Sequence, residues 1–444
     1  MVEKIEHSTS ATRLHLSRRK KILFAAVLIL IVGISLEIGI GVLCMALPSV
    51  DKALQPQWKS DSPDDEAIST IDDNILGHRP RPNYADHDSR GFRNAKAIER
   101  ADVVCLGDSQ TYGTGVSRED AWPSRLAQLS GKSTYSMAYG GWAPTHSEVL
   151  LAEAIELDPR LVIEAFYAGN DLFDCFSMVY DRGRIASHRS SAQEVRASIE
   201  EANEVDPLDV KIAQLFRVYC GDFQTNVEAD SGSEDENDGQ GSIALREFLS
   251  QYSNVYSLIR AVKDRVLESD NTIPSLDEAT WAELKHIAET SSGRWEVLES
   301  EQLRTVFVPE YRLSALNLHD IRIREGLRIS QDAIRNISRD LEKEGIDFLV
   351  VLIPTKMQVF APQLKNPSAA FLELVNHERE LWKLMKVVLN DSDIEFVDTL
   401  PVLRDAAASG IPVYKMSPNG HPSPAGHQAI SDAVFEWMQG QVPD

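Results

Sequence analysis

The sequence is poor in cysteine and has no excess of basic residues, and each shortage excludes a class of protein. Only four cysteines occur in 444 residues, and none stand in C-x-x-C spacing. A disulfide scaffold, a zinc ribbon and a thioredoxin-like site are therefore excluded. Lys and Arg number 45 against 68 Asp and Glu, so the formal net charge is −23. Such a surface repels polyphosphate, and nucleic acid is not an expected partner.

Glycine and proline are also scarce, at 24 and 20 residues, which excludes a collagenous or low-complexity chain. What the sequence does contain is one long hydrophobic run, residues 22–47, in which Glu37 is the only ionisable residue. As a helix rising ~1.5 Å per residue it would span ~39 Å. A bilayer's hydrocarbon core is ~30 Å thick, so the run predicts a transmembrane anchor.

The charges around this run predict its orientation. Residues 1–21 carry six cations against two carboxylates. Cations on one flank of a span favour the cytoplasm, so we expect a cytoplasmic basic tail over 1–21 and an extracytoplasmic body, either periplasmic or extracellular. A cleaved signal peptide is the alternative, because residues 44–46 form a loose cleavage site. The run exceeds the usual apolar length of 7 to 15 residues, which favours an uncleaved anchor.

Beyond the anchor the chain divides by composition. Residues 49–98 are rich in Pro, Asp, Ser and Asn and predict a juxtamembrane stalk. Short apolar strands then alternate with helical stretches over 99–184 and again over 328–440. This alternation is typical of βαβ units and predicts a three-layer α/β/α domain around a parallel sheet. Residues 185–327 are polar and predict a helical, acidic insertion into that domain.

The strands predicted in this domain cover 102–106, 133–139, 161–167, 347–354 and 394–400. The predicted helices cover 117–130, 145–158, 328–344, 367–390 and 424–439. An acidic run at 228–241 lacks the ligand spacing of an EF-hand loop, so no metal site is predicted there. No motif implies a cofactor.

Polar turns follow the first three predicted strands. Ser109 lies in the turn 107–115 (GDSQTYGTG), the second strand ends at Gly140-Gly141, and the third ends at Gly169-Asn170. The first turn matches neither nucleotide-binding motif nor the GxSxG elbow, and alone it is equally typical of a capped strand-to-helix junction. Strand ends line the ligand crevice of an open α/β sheet. Together the turns therefore supply a serine, backbone amides and an Asn amide, the groups that hold an oxyanion.

The C-terminal sequence supplies a candidate base. His421 lies in a loop rich in Pro and Gly, whereas His427 lies within the start of the last predicted helix. Loops beside a crevice carry functional residues more often than packed helices do, so we predict that His421 accepts the Ser109 proton and later returns it to the leaving group. We predict a structural role for His427.

These blocks, GDSQTYG, Gly141, AGND and GHPSPAGH, resemble in order the four blocks of the SGNH (GDSL) hydrolase superfamily, over about 200 residues of predicted core. The resemblance implies an SGNH-type domain in which Ser109 is the nucleophile and first oxyanion donor and His421 the base. It makes the Gly141 amide the second donor and the Asn170 side chain the third. Gly140 replaces Gly141 if the second block is shifted by one residue.

The chain departs from this family pattern ahead of its histidine. The family has Asp two or three residues before the catalytic His, whereas Pro418 and Asn419 stand here. An Asn can hold the imidazole tautomer but lacks the charge, and an Asp-to-Asn change in a serine protease costs ~10⁴ in kcat. Either Asn419 suffices as the orienting catalytic residue, a remote acid replaces it, or activity is low; we favour the first.

Residues 350–360 (VVLIPTKMQVF) and 88–94 (DSRGFRN) also look like elements of membrane-anchored relatives that act on cell-surface polysaccharides, including O-acetylation factors related to alginate acetyltransferase. The resemblance implies an extracytoplasmic serine-dependent hydrolase of acetyl or short acyl esters of carbohydrate. The alternatives are a polysaccharide O-acetyltransferase, a catalytically silent scaffold that binds a glycan or partner, and a lysophospholipase. The expected partners are a carbohydrate or other acyl-ester substrate and the membrane.

Overall fold

The computed structural model describes residues 69–84, 86–220, 278–290, 295–300, 303–416, 418 and 420–440, together with helical residues 32, 35–40 and 42. The basic tail, most of the anchor, residues 221–277 of the insertion and Asn419 lie outside the described residues. Within the described part, no helix combines the length and the hydropathy that crossing a membrane requires. The chain divides into two units, Met1–Pro56 with Gln240–Ser269 and Gln57–Gly239 with Asp270–Asp444. The features below belong to the second unit.

The described strands and helices, in chain order, are as follows. The strands are β1 (Thr70–Asp73), β2 (Gly77–Pro80), β3 (Val103–Gly107), β4 (Thr134–Ser136), β5 (Leu161–Tyr167), β6 (Glu296–Glu299), β7 (Arg304–Phe307), β8 (Asp347–Ile353) and β9 (Glu395–Asp398). The helices are α1 (Ser109–Tyr112), α2 (Trp122–Ser130), α3 (Pro144–Ile155), α4 (Asp171–Val179), α5 (Gln193–Val205), α6 (Leu208–Cys220), α7 (Glu278–Thr290), α8 (Pro309–Leu316), α9 (Ile321–Glu344), α10 (Lys356–Phe360), α11 (Ala369–Asp391), α12 (Leu400–Ala408) and α13 (Pro424–Gly440).

Five strands form a wholly parallel sheet in the order β4-β3-β5-β8-β9. Every residue of β3 and β5 is buried, which explains why both are apolar apart from Glu164 of β5. The chain leaves β3 toward β4 and then crosses to β5 on the other side. In a sheet with this strand order the loops after β3 and β5 are expected to diverge, which is where a ligand crevice opens in open α/β sheets. The predicted parallel α/β sheet is confirmed.

Helices cover both faces of this sheet. Successive side chains of a strand point to opposite faces, so the apolar strands present buried side chains on both. Val104 and Leu106 of β3 pack in one buried cluster with residues of α3 and α9. Val103 and Cys105 point to the other cluster, which includes Trp122 of α2 and residues of α11 and α13. The cores lie on the two faces, and the polar turns are left at the strand ends.

Several element boundaries differ from the predicted ones. Strand β4 is shorter than 133–139, although the backbone N–H groups of Met137 and Tyr139 still donate to carbonyls of β3 at 2.8 and 3.3 Å. Helix α9 begins at Ile321, where Asp320 caps it, rather than at 328. The described part of 185–327 includes the antiparallel pair β6 and β7 as well as helices. The division into domains stays a prediction.

Part of the predicted stalk is folded against the sheet. Strands β1 and β2 pair as an antiparallel hairpin. Leu76 in the hairpin turn and Phe92 are both buried, in the same cluster as Tyr135 and Trp142. Residues 69–98 thus contribute apolar side chains to the core and lie close to the glycine pair at 140–141.

Candidate active site

Ser109 is the first residue of α1, directly after β3. The turn that presents it, residues 107–116, is called the nucleophile turn below. Gly107 has φ +142°, and a Cβ there would lie 2.6 Å from Thr111 Oγ1. Asp108 caps the short helix by accepting a bond from Gln110 N at 2.8 Å, and Gly113 ends it with φ +80°. Two glycines and one cap therefore place the serine at the carboxyl end of β3.

The structure brings Ser109 and His421 together across 312 positions of sequence. His421 Nε2 lies 2.8 Å from Ser109 Oγ, a distance at which the imidazole can accept the hydroxyl proton. Burial lowers the pKa of His421 well below its usual 6.5, and the nearby cations Lys415 and Arg312 lower it further. The imidazole is therefore neutral near pH 7, as a general base must be.

His427 and Asn419 are the other residues of this C-terminal region for which a role is predicted. His427 is fully buried, and its Nδ1 faces the backbone N–H of Trp122 at 3.4 Å rather than the serine. Asn419 lies outside the described residues, so its predicted role in orienting His421 stays a prediction. A carboxylate lies instead beside the nucleophile, since Asp108 Oδ2 is 3.4 Å from Ser109 Oγ.

The glycine pair lies against the nucleophile. A Cβ on Gly140 would lie 4.0 Å from Ser109 Cβ, and Gly141 adopts φ +70°, a conformation that favours glycine. His78 Nε2, from β2, donates to the Gly140 carbonyl oxygen at 3.2 Å. In a trans peptide the C=O and N–H point in opposite directions. The bond from His78 therefore directs the Gly141 N–H away from the hairpin.

Asn170, the third predicted donor, directly precedes α4. Its side-chain Nδ2 donates to Asp174 Oδ2, and its Oδ1 accepts from Arg312 Nη1 at 3.4 Å. Because β3 and β5 are neighbours in the sheet, Ser109 and Asn170 follow adjacent strand ends. Both lie where the crevice is expected to open.

Arg93, which lies within the DSRGFRN segment, binds the nucleophile turn from outside. Its Nη1 donates to the carbonyls of Tyr112 and Gly113 at 3.1 and 2.7 Å, and its Nη2 donates to that of Val116 at 2.9 Å. Asp86 accepts its Nε at 2.7 Å, and Arg93 is buried. The sequence indicated an ordered element here but not this contact.

The segment that carries His421, residues 413–423, is called the histidine loop below. Lys356, fully buried after β8, donates through Nζ to the carbonyls of Lys415 at 2.7 Å and Val306 at 3.0 Å. Thr305 Oγ1 of β7 donates to the carbonyls of Lys415 and Met416, both at 3.3 Å. A lysine and a threonine from other elements thus hold the loop.

The histidine loop and the nucleophile turn also touch directly. A Cβ on Gly115 would collide with the ammonium end of Lys415. The backbone N–H of Lys415 in turn faces the His421 carbonyl at 3.4 Å. Gly115 has φ +79°, a conformation that favours glycine, and the Lys415 side chain occupies the space beside it.

Buried carboxyl groups lie near the serine. Burial raises the pKa of Glu164 on β5 to about 8. Burial also raises the pKa of Asp108, and that of Asp171 well above its usual value. These groups hold protons more strongly than exposed carboxyls do, because charges are costly to bury. Asp171 Oδ2 accepts the Tyr167 backbone N–H at 2.8 Å, so this carboxyl ties down the turn at 168–170.

Comparisons with known proteins identify distant similarity only. No family model matches the chain, and no curated protein matches it. A proposed lipolytic protein of the G-D-S-L family from Desulfitobacterium hafniense DCB-2 is 12% identical, with 75% of this chain and 97% of that chain covered and a TM-score of 0.32. A proposed acylhydrolase from Bacteroides fragilis NCTC 9343 is 11% identical, covers 77% and 87%, and has a TM-score of 0.29.

A catalytic mutant of an acetylxylan esterase from Geobacillus stearothermophilus is 9% identical, with 76% of this chain and 94% of that chain covered and a TM-score of 0.31. Similarity at this level carries no functional weight. The proposal below therefore rests on the contacts among the residues of the chain itself.

Proposed function

We propose that the chain is a serine-dependent acyl-ester hydrolase of the SGNH type. The observation that carries the proposal is the 2.8 Å separation of Ser109 Oγ and His421 Nε2. A serine hydroxyl within hydrogen-bond reach of a neutral imidazole is an activated nucleophile, and this pair lies beside a glycine turn and an Asn amide at adjacent strand ends.

The proposed reaction has two halves. Ser109 Oγ attacks the ester carbonyl carbon while His421 Nε2 takes its proton, and the tetrahedral oxyanion forms. The N–H groups of Ser109 and Gly141 and the Asn170 amide donate to that oxyanion. The C–O bond to the alcohol then breaks, and His421 returns the proton to the leaving oxygen. Water repeats the sequence on the acyl-serine and releases the acid and free Ser109.

The proposed substrate is an acetyl or short acyl ester of a carbohydrate. The support for it is the resemblance of residues 350–360 and 88–94 to polysaccharide-modifying relatives, together with the apolar run at 22–47. If the second half used a sugar hydroxyl in place of water, the same site would be a polysaccharide O-acetyltransferase. The orienting role for Asn419 belongs to this proposal too.

Kinetics with a chromogenic acetyl ester test the proposal. We expect Ser109→Ala to lower kcat by at least about 10³-fold. Ser191→Ala, which alters an exposed serine, is the matched control and is expected to keep wild-type rates. A fluorophosphonate probe is expected to label the wild type and not Ser109→Ala. Equal turnover in wild type and Ser109→Ala, with no labelling of either, would favour the silent scaffold.

An assay with a sugar acceptor distinguishes the hydrolase from the O-acetyltransferase. In the presence of an acetyl ester donor and a xylo- or glucooligosaccharide, a hydrolase gives acetate and a transferase gives an acetylated sugar, which mass spectrometry distinguishes. Acceptor-dependent loss of donor with little free acetate would replace the hydrolase by the transferase.

We also propose that residues 22–47 anchor the chain with its body outside the cytoplasm. The full chain is expected to stay in the membrane fraction after alkaline extraction, while a chain starting at residue 49 is released. External protease should degrade the body in spheroplasts and spare the tail. Release of the full chain by alkali would contradict the anchor and leave the chemistry untouched.

A further inference from the structure

Arg312 lies on α8, inside the segment predicted to be an insertion and outside all four sequence blocks. Its Nη1 lies 3.2 Å from the Gly169 carbonyl oxygen and 3.4 Å from Asn170 Oδ1. The guanidinium stacks over the rings of Tyr167 and Tyr311, with centroids 5.2 and 4.7 Å away. Only 6% of the residue is exposed. A charge is thus buried between two rings and aimed at the turn that carries Asn170.

The two partners of Asn170 leave its amide one orientation. Arg312 offers only donors, so the atom facing it must be the carbonyl Oδ1, while the Asp174 carboxylate accepts and so faces Nδ2. A flipped amide would set N–H groups against the guanidinium and an oxygen against a carboxylate. Since Nδ2 carries two hydrogens, one remains after Asp174 is bound.

Arg312 also contributes to the electrostatics of the pair that would react. Besides burial, Arg312 and Lys415 lower the pKa of His421, and Arg312 opposes the rise in the pKa of Asp108. Charged and titratable groups near His421 include Lys415 in its own loop, Arg312 on α8 and His427 on α13. Arg312 alone among these three touches a predicted oxyanion donor.

We propose that Arg312 is a positioning residue of the acyl-transfer site, which fixes the side-chain amide of Asn170 in the orientation that donates to the oxyanion. This role rests on the proposed function and deepens it. In this role Arg312 acts through Asn170 and does not touch the ester, so its positioning contribution belongs to the transition state and disappears when the amide is absent.

A double-mutant cycle on the full chain tests this role through turnover of a chromogenic acetyl ester. Arg312→Lys keeps the charge but loses the fork and the ring stacking. We expect Arg312→Lys and Asn170→Ala each to lower kcat about 10- to 100-fold with KM little changed. In the Asn170→Ala background we expect Arg312→Lys to cost less than about 3-fold, because the residues act as a unit. Effects that simply multiply would overturn the role.

A second cycle leaves the buried arginine intact and tests the fixed orientation of the Asn170 amide, on which the role of Arg312 depends, if Arg312→Lys does not fold. Asp174→Ala removes the other partner of the same amide from a half-buried position on α4. We expect it to lower kcat in the wild type and to have little further effect in Asn170→Ala. Full additivity here would equally overturn the fixed amide.

The pH profile tests the effect of the Arg312 charge on His421, an effect that a merely structural contact would not have. Arg312→Gln removes the cation near His421, so the pKa of His421 rises and the acid limb of kcat/KM moves to higher pH. Arg312→Lys and the exposed control Arg324→Gln are expected to leave the limb in place. An unmoved limb in Arg312→Gln would contradict the electrostatic part.

The proposed function and the role of Arg312 fail in different ways. A wild type that neither hydrolyses esters nor is labelled at Ser109 overturns both. An active wild type whose Arg312 and Asn170 effects multiply overturns the role of Arg312 alone.

Discussion

The nucleophile turn and the histidine loop meet at one hydrogen bond, yet different forces hold them. The nucleophile turn is shaped mostly by its own residues. Gly107 and Gly113 take backbone conformations that favour glycine, and Asp108 caps the helix between them. The glycines and the helix cap that form such a turn are neighbours in the chain, so the sequence shows them as a motif.

Among the described residues of the histidine loop, an isolated bridge joins Tyr414 to Pro422. Lys356 and Thr305, which lie far away in the chain, bind carbonyls of this loop. The comparison teaches that the nucleophile turn takes its shape mainly from its own residues, with Arg93 bound to it from outside, whereas the histidine loop depends on tertiary contacts for its shape. Changes to distant residues should therefore affect the histidine more selectively than the serine.

Replacing His421 by alanine is expected to lower activity more than any other change considered below, and the same change at His427 is its comparison. His421→Ala removes the proposed base, so we expect kcat/KM to fall at least about 10³-fold with the fold intact. His427→Ala alters a buried residue that faces Trp122, so we expect a lower melting temperature and activity within about 10-fold of wild type. Equal losses of activity in both variants would contradict the assignment of the base to the loop.

Replacing Arg93, which binds the nucleophile turn, should have the next largest effect. Arg93→Met leaves three backbone carbonyls and Asp86 without this partner, so we expect the free energy of unfolding to fall by about 3 kcal/mol. Chemical denaturation measures this change, and activity should fall with it. Arg90→Met, at an exposed position, is the control and should unfold like the wild type.

Replacing Lys356, which binds the histidine loop, should lower activity while stability changes little. Lys356 is a fully buried cation bound to carbonyls, and burial lowers its pKa well below 10.5. Lys356→Met relieves that desolvation while it frees the loop. We expect kcat to fall about 10-fold while the free energy of unfolding changes by less than about 1.5 kcal/mol. Lys383→Met on exposed α11 surface is the control, and a parallel loss of stability and activity in Lys356→Met would contradict the comparison.

The smallest expected effect is a shift in pH dependence. Because the pKa of His421 lies well below 6.5, kcat/KM should stay level from pH 7 to below 6.5 and fall as the imidazole is protonated. Lys415→Met removes a cation that lowers this pKa, so the acid limb should move to higher pH. Lys132→Met, which is exposed, should leave it in place. An acid limb above pH 6.5 in the wild type would contradict a buried neutral base.

Much of the sheet could be predicted from the sequence because its strands are buried on both faces. The predicted strands at 161–167 and 347–354 match β5 and β8 closely, since a largely apolar run of this short length that is bounded by turns favours a buried strand over a helix. Less could be predicted at 133–139, where the apolar run continues past the three residues of β4 into the glycine turn.

The candidate site was predictable only where its residues lie in motifs. Ser109 is predicted from a polar turn at a strand end and His421 from a loop rich in Pro and Gly, and the structure places them in contact. Arg93, Lys356 and Arg312 were missed because they bind mainly backbone carbonyls, which every residue possesses. Contacts of that kind leave no spacing pattern in a sequence, and only the folded chain reveals which cation reaches which carbonyl.

The hairpin of β1 and β2 has a practical consequence for dissecting the protein. A shortened chain that begins at residue 99 would retain every sequence block yet lose His78, which holds the Gly140 peptide, and Arg93. Such a fragment could be soluble and still slow, and its weak turnover would be mistaken for a dead enzyme. Recombinant versions meant for assays should therefore start upstream of residue 69.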